Sequence, residues 1–578
     1  MPNKRKNKVD ESIFDARHDF ISTDLELKER LDSIIFSNKK EFIDLLGKCS
    51  ISEAFNLDWW SASVSSRNHI NSSLFFRFCT LILVKEEIET NKNLSKIILD
   101  SEFEYNAIEG LIRDTSITVE YDKNSSTLRR FRVILYFCDQ FFTKLLQIFT
   151  SRITFKGDNK YKKNLILIDT FAFPDSIQKE RYYPGLWEGL DDEQKEIVFF
   201  VPTLVYTKIY NFYSSFKELR KKRDSFLIKE DFLSIPDILY ACLHCFRINN
   251  LTLGEVRYKG IIFSELVKQE VRLTNGYRIG IENILNYLFI KNLRKNNITV
   301  TRFIDWWEGQ ALDSGYSIGM NEFYPNIDVI GYQGFIPRLI DLCMSPTEYE
   351  NESHVAPNYI GIFGRSFRSV IQSNDPNTRC LPVPAFRYAH LWKKNTSVKH
   401  TDKKIIVALP WDITSSINIL SLIHSCNLRE SYKDLEISLK FHPISPLKDW
   451  KDKFLKEWNY FTFEESDLYE VIEQSSLLIT GNSSAALEAI ACNTSTIVIE
   501  ELLNFTSLSI PENVSKSLWR SCSNKDELLE ALGYFFNRSD QEKAKDLDLS
   551  LEVKENYFEP VTKKGIEILL GLDKFNTE

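Results

Sequence analysis

Short apolar runs alternating with helix-period stretches dominate the last third of the chain. "KKIIVALP" (Lys403 to Pro410), "LEISLKFHP" (Leu435 to Pro443), "SLLITGNS" (Ser476 to Ser483) and "STIVIE" (Ser495 to Glu500) read as strands buried on both faces. Between them "SSINILSLIHSC", "SDLYEVIEQSS" and "SAALEAIAC" read as helices. Strands alternating with helices require right-handed crossovers, so this region predicts a parallel, doubly wound sheet. Upstream, "SKIILDS" (from Ser95), "NLILIDT" (from Asn164), "EIVFFVPTL" (from Glu196), "ITVTRFID" (from Ile298), "IDVIGYQG" (from Ile327) and "YIGIFG" (from Tyr359) repeat the pattern with long helical stretches between them.

The predicted fold class is therefore α/β, with two Rossmann-like doubly wound domains and helical insertions in the first. The pattern divides the chain into a helical lead-in over 1–55, an N-terminal Rossmann-like domain over 56–392, a linker over 393–402 and a C-terminal Rossmann-like domain over 403–578. The linker falls in the polar, aperiodic "HLWKKNTSVKHTDKK" from His390. Ligands of open α/β sheets bind outside the carboxyl ends of the strands, so the loops after the strands of both domains define a shared cleft.

One helical stretch, "FRVILYFCDQFFTKLLQIF" from Phe131, is rich in aromatics but interrupted by Arg132, Asp139, Gln140, Lys144 and Gln147. It is too broken to span a membrane. A core helix is the favoured reading, and its basic flanks leave an interfacial helix open, with peripheral inner-membrane association as the consequence. At 578 residues the chain exceeds a single core, and 43% hydrophobic with 27% charged residues is the balance of a soluble globular protein. A net charge of -8 argues against a general nucleic-acid binder. Ten cysteines without framework spacing point to a reducing compartment, and "CLHC" at Cys242 and Cys245 reads as buried thiols rather than zinc ligands. The N-terminal "MPNKRKNKVDES" lacks the apolar centre of a signal peptide, which makes a cytoplasmic location the expectation.

Candidate chemistry sits after the strands. In "LLITGNSSAALEAIA", Gly481 allows a turn, Asn482 or Ser483 begins a helix, and Ser484 and Glu488 share one face of it. The bland reading is a well-capped helix. The functional one is an anion site, with the serines on a phosphate and Glu488 on a ribose. His442 and Pro443 end the neighbouring strand, where a protonated imidazole would stabilise charge on a leaving nucleotide, and Pro410 ends another. No Walker glycine loop and no Asp-x-Asp at a strand end occur, so neither a metal nor a cofactor is expected. In the first domain, Glu308 follows a strand and the pair Trp306 and Trp307, a setting that raises a carboxylate toward the pKa of a base. A salt-bridged loop carboxylate is the equal alternative. Asp169 ends another strand, with Arg181 in the loop beyond expected to keep its pKa low. Tyr182 and Tyr183 could stack on a sugar or simply pack. Trp307, Gln310 and Gln333 complete the acceptor-side set. Arg387 could grip a carboxylate bidentately or pin the domains together.

The His-Pro and Ser-Ser elements resemble the nucleotide site of bacterial GT-B glycosyltransferases that use CMP-activated sugars, the sialyl- and Kdo-type transferases of surface polysaccharides. "NLDWWSASVSSRN" (from Asn56), "FIDWWEGQALDSGYSIGM" (from Phe303), "VIGYQGFIP" (from Val329), "VPAFRYAHL" (from Val383) and "VALP" (from Val407) resemble the signature runs of a surface-carbohydrate group within that class (lipopolysaccharide O-antigen or capsule). One departure is Gly334, where the pattern often carries a histidine after Gly-Tyr-Gln. The resemblance implies a metal-independent transferase moving an ulosonic acid such as Kdo from a CMP donor held by the C-terminal domain to a glycan or lipid-linked glycan on the N-terminal one. A transferase using CDP-glycerol or a UDP-sugar is an alternative, and so is a non-catalytic nucleotide-binding assembly partner.

Overall fold

Side chains that want burial on both faces of a strand dictate the two large sheets. The computed structural model describes residues 12–572 except 22–23, 123–125, 156–163, 174–180, 223–224, 274–276, 339, 393–400, 429–431, 433, 443–444, 446–460 and 501–508. Three short strands, β1 (Ile13–Asp15), β2 (Lys96–Leu99) and β3 (Thr118–Tyr121), pair in parallel as a small sheet of their own. The first large sheet contains β4 (Leu165–Ala172), β5 (Val198–Leu204), β6 (Val300–Trp306), β7 (Val329–Tyr332), β8 (Tyr359–Ile362) and β9 (Cys380–Pro382). Its order is β9-β8-β7-β6-β4-β5, all parallel, and the direction of winding reverses between β4 and β6.

The second large sheet contains β10 (Thr401–Ala408), β11 (Glu436–Lys440), β12 (Phe461–Phe463), β13 (Ser475–Thr480), β14 (Ser495–Ile499) and β15 (Trp519–Cys522). The order β12-β11-β10-β13-β14-β15 is the 3-2-1-4-5-6 winding of a Rossmann sheet, with its reversal between β10 and β13. The α/β class with two Rossmann-like sheets is thus the observed architecture.

The boundaries differ from expectation in three places. The described residues from 12 to 55 do not stand apart as a helical lead-in. Ile13–Asp15 is a strand, and the helices Leu25–Ser37 and Lys39–Ile51 share one core with the helix Leu74–Thr90, β2 and Phe263. A three-residue strand has too few positions to show a period, which is why the pattern hid it. The linker also ends early: residues 393–400 lie outside the described residues, and Thr401 already pairs with Ser475 in β10.

Five helices frame the cleft and the surface beside it. α1 (Ser126–Thr154) packs beside α2 (Phe212–Lys221) and α3 (Ile235–Cys242), α4 (Ala485–Ala491) follows β13, and α5 (Lys563–Leu570) closes the chain. Contrary to the core-helix reading, α1 turns Phe131, Phe142 and Phe149 outward, each 60% exposed or more. The third boundary difference is α5, which leaves the second sheet and buries Ile566, Leu569 and Leu570 against β4 and β6 of the first. Amphipathic periodicity shows that a helix covers a sheet but not which one.

The returning segment is clasped by backbone. Glu559 N–H donates to Phe363 O at 2.7 Å, and Glu559 O accepts from Ala385 N–H at 2.9 Å. Gly364 permits this approach, since a Cβ there would stand 2.3 Å from the carbonyl oxygen of Tyr557. Gly364→Ala should therefore cost about 1–3 kcal/mol of stability, the usual range for forced overpacking. Thermal melts against Gly533→Ala, where an added Cβ meets nothing within 4 Å, check it. Equal melts for both variants would show that the clasp does not hold the chain end.

Candidate active site

Winding reversal brings β4 and β6 together, and their pairing sets the chemistry. Ile168 pairs with Ile304, so the next residues along, Asp169 and Asp305, are neighbours on the same face of the sheet. The opposite face carries Trp306, packed edge-on against Tyr182 (4.5 Å between rings) and Tyr183 (5.4 Å). Beyond β6 the chain turns at Glu308 and is tied down by Asp313, whose Oδ2 accepts from the backbone N–H of Glu308 (3.0 Å) and of Gln310 (2.9 Å). Glu308 itself accepts from Trp306 Nε1 at 2.8 Å and from Gln310 Nε2 at 2.5 Å.

Four carboxyls thus crowd one place, and three are almost fully buried: Asp169 at 3%, Asp305 at 1% and Asp313 at 4% exposure. Neither oxygen of Asp305 has a hydrogen-bond partner. Burial pushes all four carboxyls up from their ordinary values. In Asp305 the charges of Asp313, Asp169 and Glu308 push further in the same direction. The bonds from Trp306 and Gln310 and the charge of Arg387 pull Glu308 back down. Holding a carboxyl protonated at pH 7 against an ordinary pKa near 4 costs about 4 kcal/mol. Desolvating an unpaired carboxylate costs more than that, which favours the protonated form at Asp305, whose oxygens have no partner among the described residues.

One cation answers this cluster. Lys229 is buried, feels Asp169, and donates to Thr203 Oγ1 (3.1 Å), Asn286 Oδ1 (2.9 Å) and Glu282 Oε2 (3.4 Å). Glu282 in turn pairs with Lys144 of α1.

Across the cleft, α4 is a seven-residue helix with Ser484 at its N-cap and no capping bond from that side chain. Ser483 Oγ instead accepts from Ala485 N–H at 3.3 Å, and Asn482 Oδ1 accepts from Ser509 Oγ at 2.7 Å. Gly481 does not require a left-handed backbone; a Cβ there would touch Ile419 at 3.3 Å and Pro410 at 3.7 Å. Glu488 is 1% exposed and its carboxyl is pushed up to about 7 by burial, with Arg387, Tyr469 and Ser484 pulling it down. It faces Arg387, Tyr469 and His390. His390 stacks on Tyr469 with ring centroids 3.8 Å apart, and its Nε2 lies 3.6 Å from Glu488 Oε2.

Arg387 is where the two halves meet. It lies over the Phe335 ring at 4.4 Å and donates to Gly334 O at 3.4 Å. It feels Tyr182 and Glu308 from the first sheet and Glu488 and Tyr469 from the second, yet makes no ion pair among the described residues. His442, half-buried after β11, is held below its ordinary pKa by burial and by the charge of Arg181. Both effects favour the neutral imidazole at rest. Pro443 lies outside the described residues.

Other expected site residues are placed elsewhere. Tyr183 is fully buried among Trp306, Tyr332 and Phe386, so it cannot stack on an acceptor. Trp307 packs with Ile360, Ile362 and Ile371 in the core. Gln333 is 1% exposed and donates to Met344 O at 2.7 Å, a structural bond. Asp169 lies inside β4 rather than at its end, and burial raises its carboxyl instead of lowering it; Arg181, expected to pull it down, stacks on Phe173. Gly334 also has a structural reason: a Cβ there would fall 1.8 Å from the Trp306 ring. No histidine fits while that indole is in place.

Asp305, Asp313, Lys229 and Tyr316 are the cluster members that sequence reasoning missed. Asp305 and Asp313 flank Glu308 in "IDWWEGQALD", and an acid inside a buried strand was the available signal. Lys229 comes from a distant segment and carried none, whereas Tyr316, whose hydroxyl feels Asp169 and Asp305, stands three residues after Asp313 in the same run. His390 was hidden by its assignment to the linker. Away from the cleft, a cavity of about 260 Å³ is lined by Ser63, His69, His244 and Tyr277. His244 Nδ1 lies 2.7 Å from Asp58, and Cys242 and Cys245 beside it are buried. Among the described residues no group of side chains is arranged to hold a metal ion.

No family model matches the chain, and no curated protein matches it in sequence. Solved structures similar to it include the UDP-GlcNAc 2-epimerase from Methanocaldococcus jannaschii, at 15% identity over 71% of this chain and 99% of that one, TM-score 0.37. The alpha,alpha-trehalose 6-phosphate synthase from Burkholderia multivorans matches at 10% identity over 71% and 95%, TM-score 0.38. The GtfA/B complex matches at 8% over 71% and 98%, TM-score 0.42. These likenesses are too distant to carry function. The strand order itself gives the GT-B-like description: two doubly wound sheets with a cleft where their carboxyl-end loops meet.

The cluster makes a pH prediction. A native carboxyl with a raised pKa keeps a proton that the unfolded chain gives up near pH 4, so its contribution to stability falls as pH rises above that value. Asp305→Asn copies the protonated form and removes this loss. Its melting temperature should match wild type at pH 5 and exceed it at pH 8. A variant less stable than wild type at pH 8 would mean that Asp305 is ionised and paired.

Proposed function

We propose that this chain transfers an acidic sugar from a CMP-activated donor to a glycan hydroxyl, using the cleft around Arg387. The observation that supports this most directly is Arg387 itself. A largely buried guanidinium has no ion pair of its own among the described residues, and burial pushes up the carboxyl of its neighbour Glu488. A ligand carboxylate offers the missing partner with two oxygens matched to the guanidinium fork. An ulosonic acid has that group.

In this reading the donor nucleotide lies at the β10–β13 reversal, near Pro410, Ser483 and Ser484. His442 approaches the phosphate. Although neutral at rest, its ring can donate one hydrogen bond, and a phosphate beside it would raise its pKa. Glu308 serves as base. Burial lifts its carboxyl, and the Trp306 and Gln310 bonds hold its orientation, so an acceptor hydroxyl can lose its proton to Glu308 as the oxygen attacks the anomeric carbon and CMP departs. Tyr182 and Gln310 line the acceptor side. Asp169, being buried, supports Glu308 electrostatically and does not touch substrate.

Two measurements test this. Glu308→Gln should keep donor affinity and lose about 10²–10⁴-fold in turnover. Arg387→Lys should weaken a CMP-ulosonate far more than CMP alone, measured by calorimetry, because lysine keeps the charge but not the fork. Equal weakening of both ligands would remove the carboxylate role. Tighter binding of UDP or CDP than of CMP would redirect the reading to a UDP-sugar or CDP-glycerol transferase, and no binding of any nucleotide to a non-catalytic partner.

A further inference from the structure

α1 buries Val133 and Ile148 in the core, yet it divides most of its remaining positions against the usual pattern. The face turned to the protein carries Gln140, Lys144, Gln147, Thr150 and Ser151, all buried. The outward face carries Phe131, Leu135, Phe142, Leu146, Phe149 and Ile153, all exposed. The inward face is locked by specific bonds. Lys144 pairs with Glu282, Gln147 Nε2 donates to Glu230 at 2.6 Å, Ser151 Oγ donates to Asp231 at 2.8 Å, and Arg152 donates to Leu233 O at 2.8 Å. The helix cannot roll to bury its apolar face without taking Lys144 from Glu282 and the amide donor of Gln147 from Glu230.

Fifteen of the twenty-six exposed large apolar side chains among the described residues fall between Phe131 and Phe246. They are concentrated, not scattered, which marks an interaction surface. α2 and α3, which pack against α1, add exposed Tyr213, Leu239 and Tyr240, and Tyr210 precedes α2.

We propose that this face seats the protein on an anionic lipid bilayer. Charge decides between a bilayer and a second copy of the chain. The stretches 130–155, 208–222 and 235–250 hold ten Lys and Arg against three Asp and Glu; with Lys144, Arg220 and Arg247 paired to Glu282, Asp231 and Asp58, seven cations remain against the three acids, in a chain whose net charge is -8. Two such faces would repel each other, whereas an anionic headgroup layer attracts them. The tyrosines suit the same place: Lys208 lies 5.8 Å over the Tyr210 ring and Arg247 lies 4.2 Å over Tyr240. Amphipathic rings with cations beside them belong at a headgroup boundary. No described helix is long and apolar enough to cross a membrane, so α1 lies in the interface plane. This surface is separate from the donor cleft and does not depend on the proposed reaction.

The test is flotation of the full chain with vesicles of phosphatidylcholine alone or mixed equally with phosphatidylglycerol. Wild type should float with the mixed vesicles, much less with the neutral ones, and release at high salt. Phe142→Glu/Phe149→Glu and Phe142→Ala/Phe149→Ala should each cut flotation about tenfold or more, the second by apolar area alone, with unchanged circular dichroism. Arg130→Gln/Arg132→Gln should weaken it on mixed vesicles only. Failure of wild type to float, or flotation untouched by both phenylalanine pairs, overturns the proposal. So does a dimer in light scattering that those pairs split while no vesicle binding is seen, since a second copy would then cover the face.

Discussion

Two aspartates side by side in a parallel sheet, Asp169 and Asp305, are the constraint around which the first half of this protein is arranged. The pairing of β4 with β6 puts them there, and nothing in a sheet interior can solvate them. Two responses are visible. Burial pushes the carboxyls up toward the protonated form, and a lysine is brought in. Lys229 enters from the segment after α2, and the three polar atoms it reaches, on Thr203, Asn286 and Glu282, come from β5 and the helix Tyr277–Lys295. A buried charge pair that is fully hydrogen-bonded is tolerable, and one partner removed is not, so every member of this chain of contacts is tied to the next.

That chain reaches the surface. Glu282 balances Lys229 on one oxygen and Lys144 of α1 on the other. Gln147 and Ser151, one and two turns further on, meet Glu230 and Asp231, which follow Lys229 directly. The polar face of α1 is therefore required inside, as the outer layer of the network that neutralises the acids of the sheet. An α-helix has only two faces to offer, so the aromatic one is left outward.

How much of this was legible depends on the range over which each signal acts. Buried parallel strands announce themselves in a few consecutive residues, and the strands "LILIDT", "VTRFID" and "LLIT" stand where their apolar runs put them. The GT-B-like pairing of two doubly wound sheets comes from that alternation. Glu308 could be singled out because its tryptophan and its glutamine partner lie within two residues of it. Tyr183, Trp307 and Gln333 could not be separated from ligand contacts by local sequence, because only the fold decides whether an aromatic residue near a strand end faces a cleft or a core. The same limit hid Lys229, which lies some sixty residues from Asp169 and acts on it only in three dimensions. It also hid β1, too short for any period, and α5, whose partner sheet lies on the other side of the linker.

The α1 pattern shows why period alone misleads when charge is buried. An apolar stripe normally marks the inward face, because moving apolar area out of water is the largest favourable term available to a helix. Here a competing term acts against it. Rolling the phenylalanines inward would take Lys144 from Glu282, Gln147 from Glu230 and Ser151 from Asp231, leaving only Lys229 and Arg220 beside two of these acids. Breaking a buried pair costs about 3–5 kcal/mol, and these bonds fix the register. A helix whose outward face is set by what its inward face must neutralise presents its apolar side whether or not a partner is near. The sheet's aspartates, deep in one layer, thus determine which surface the protein shows to its surroundings.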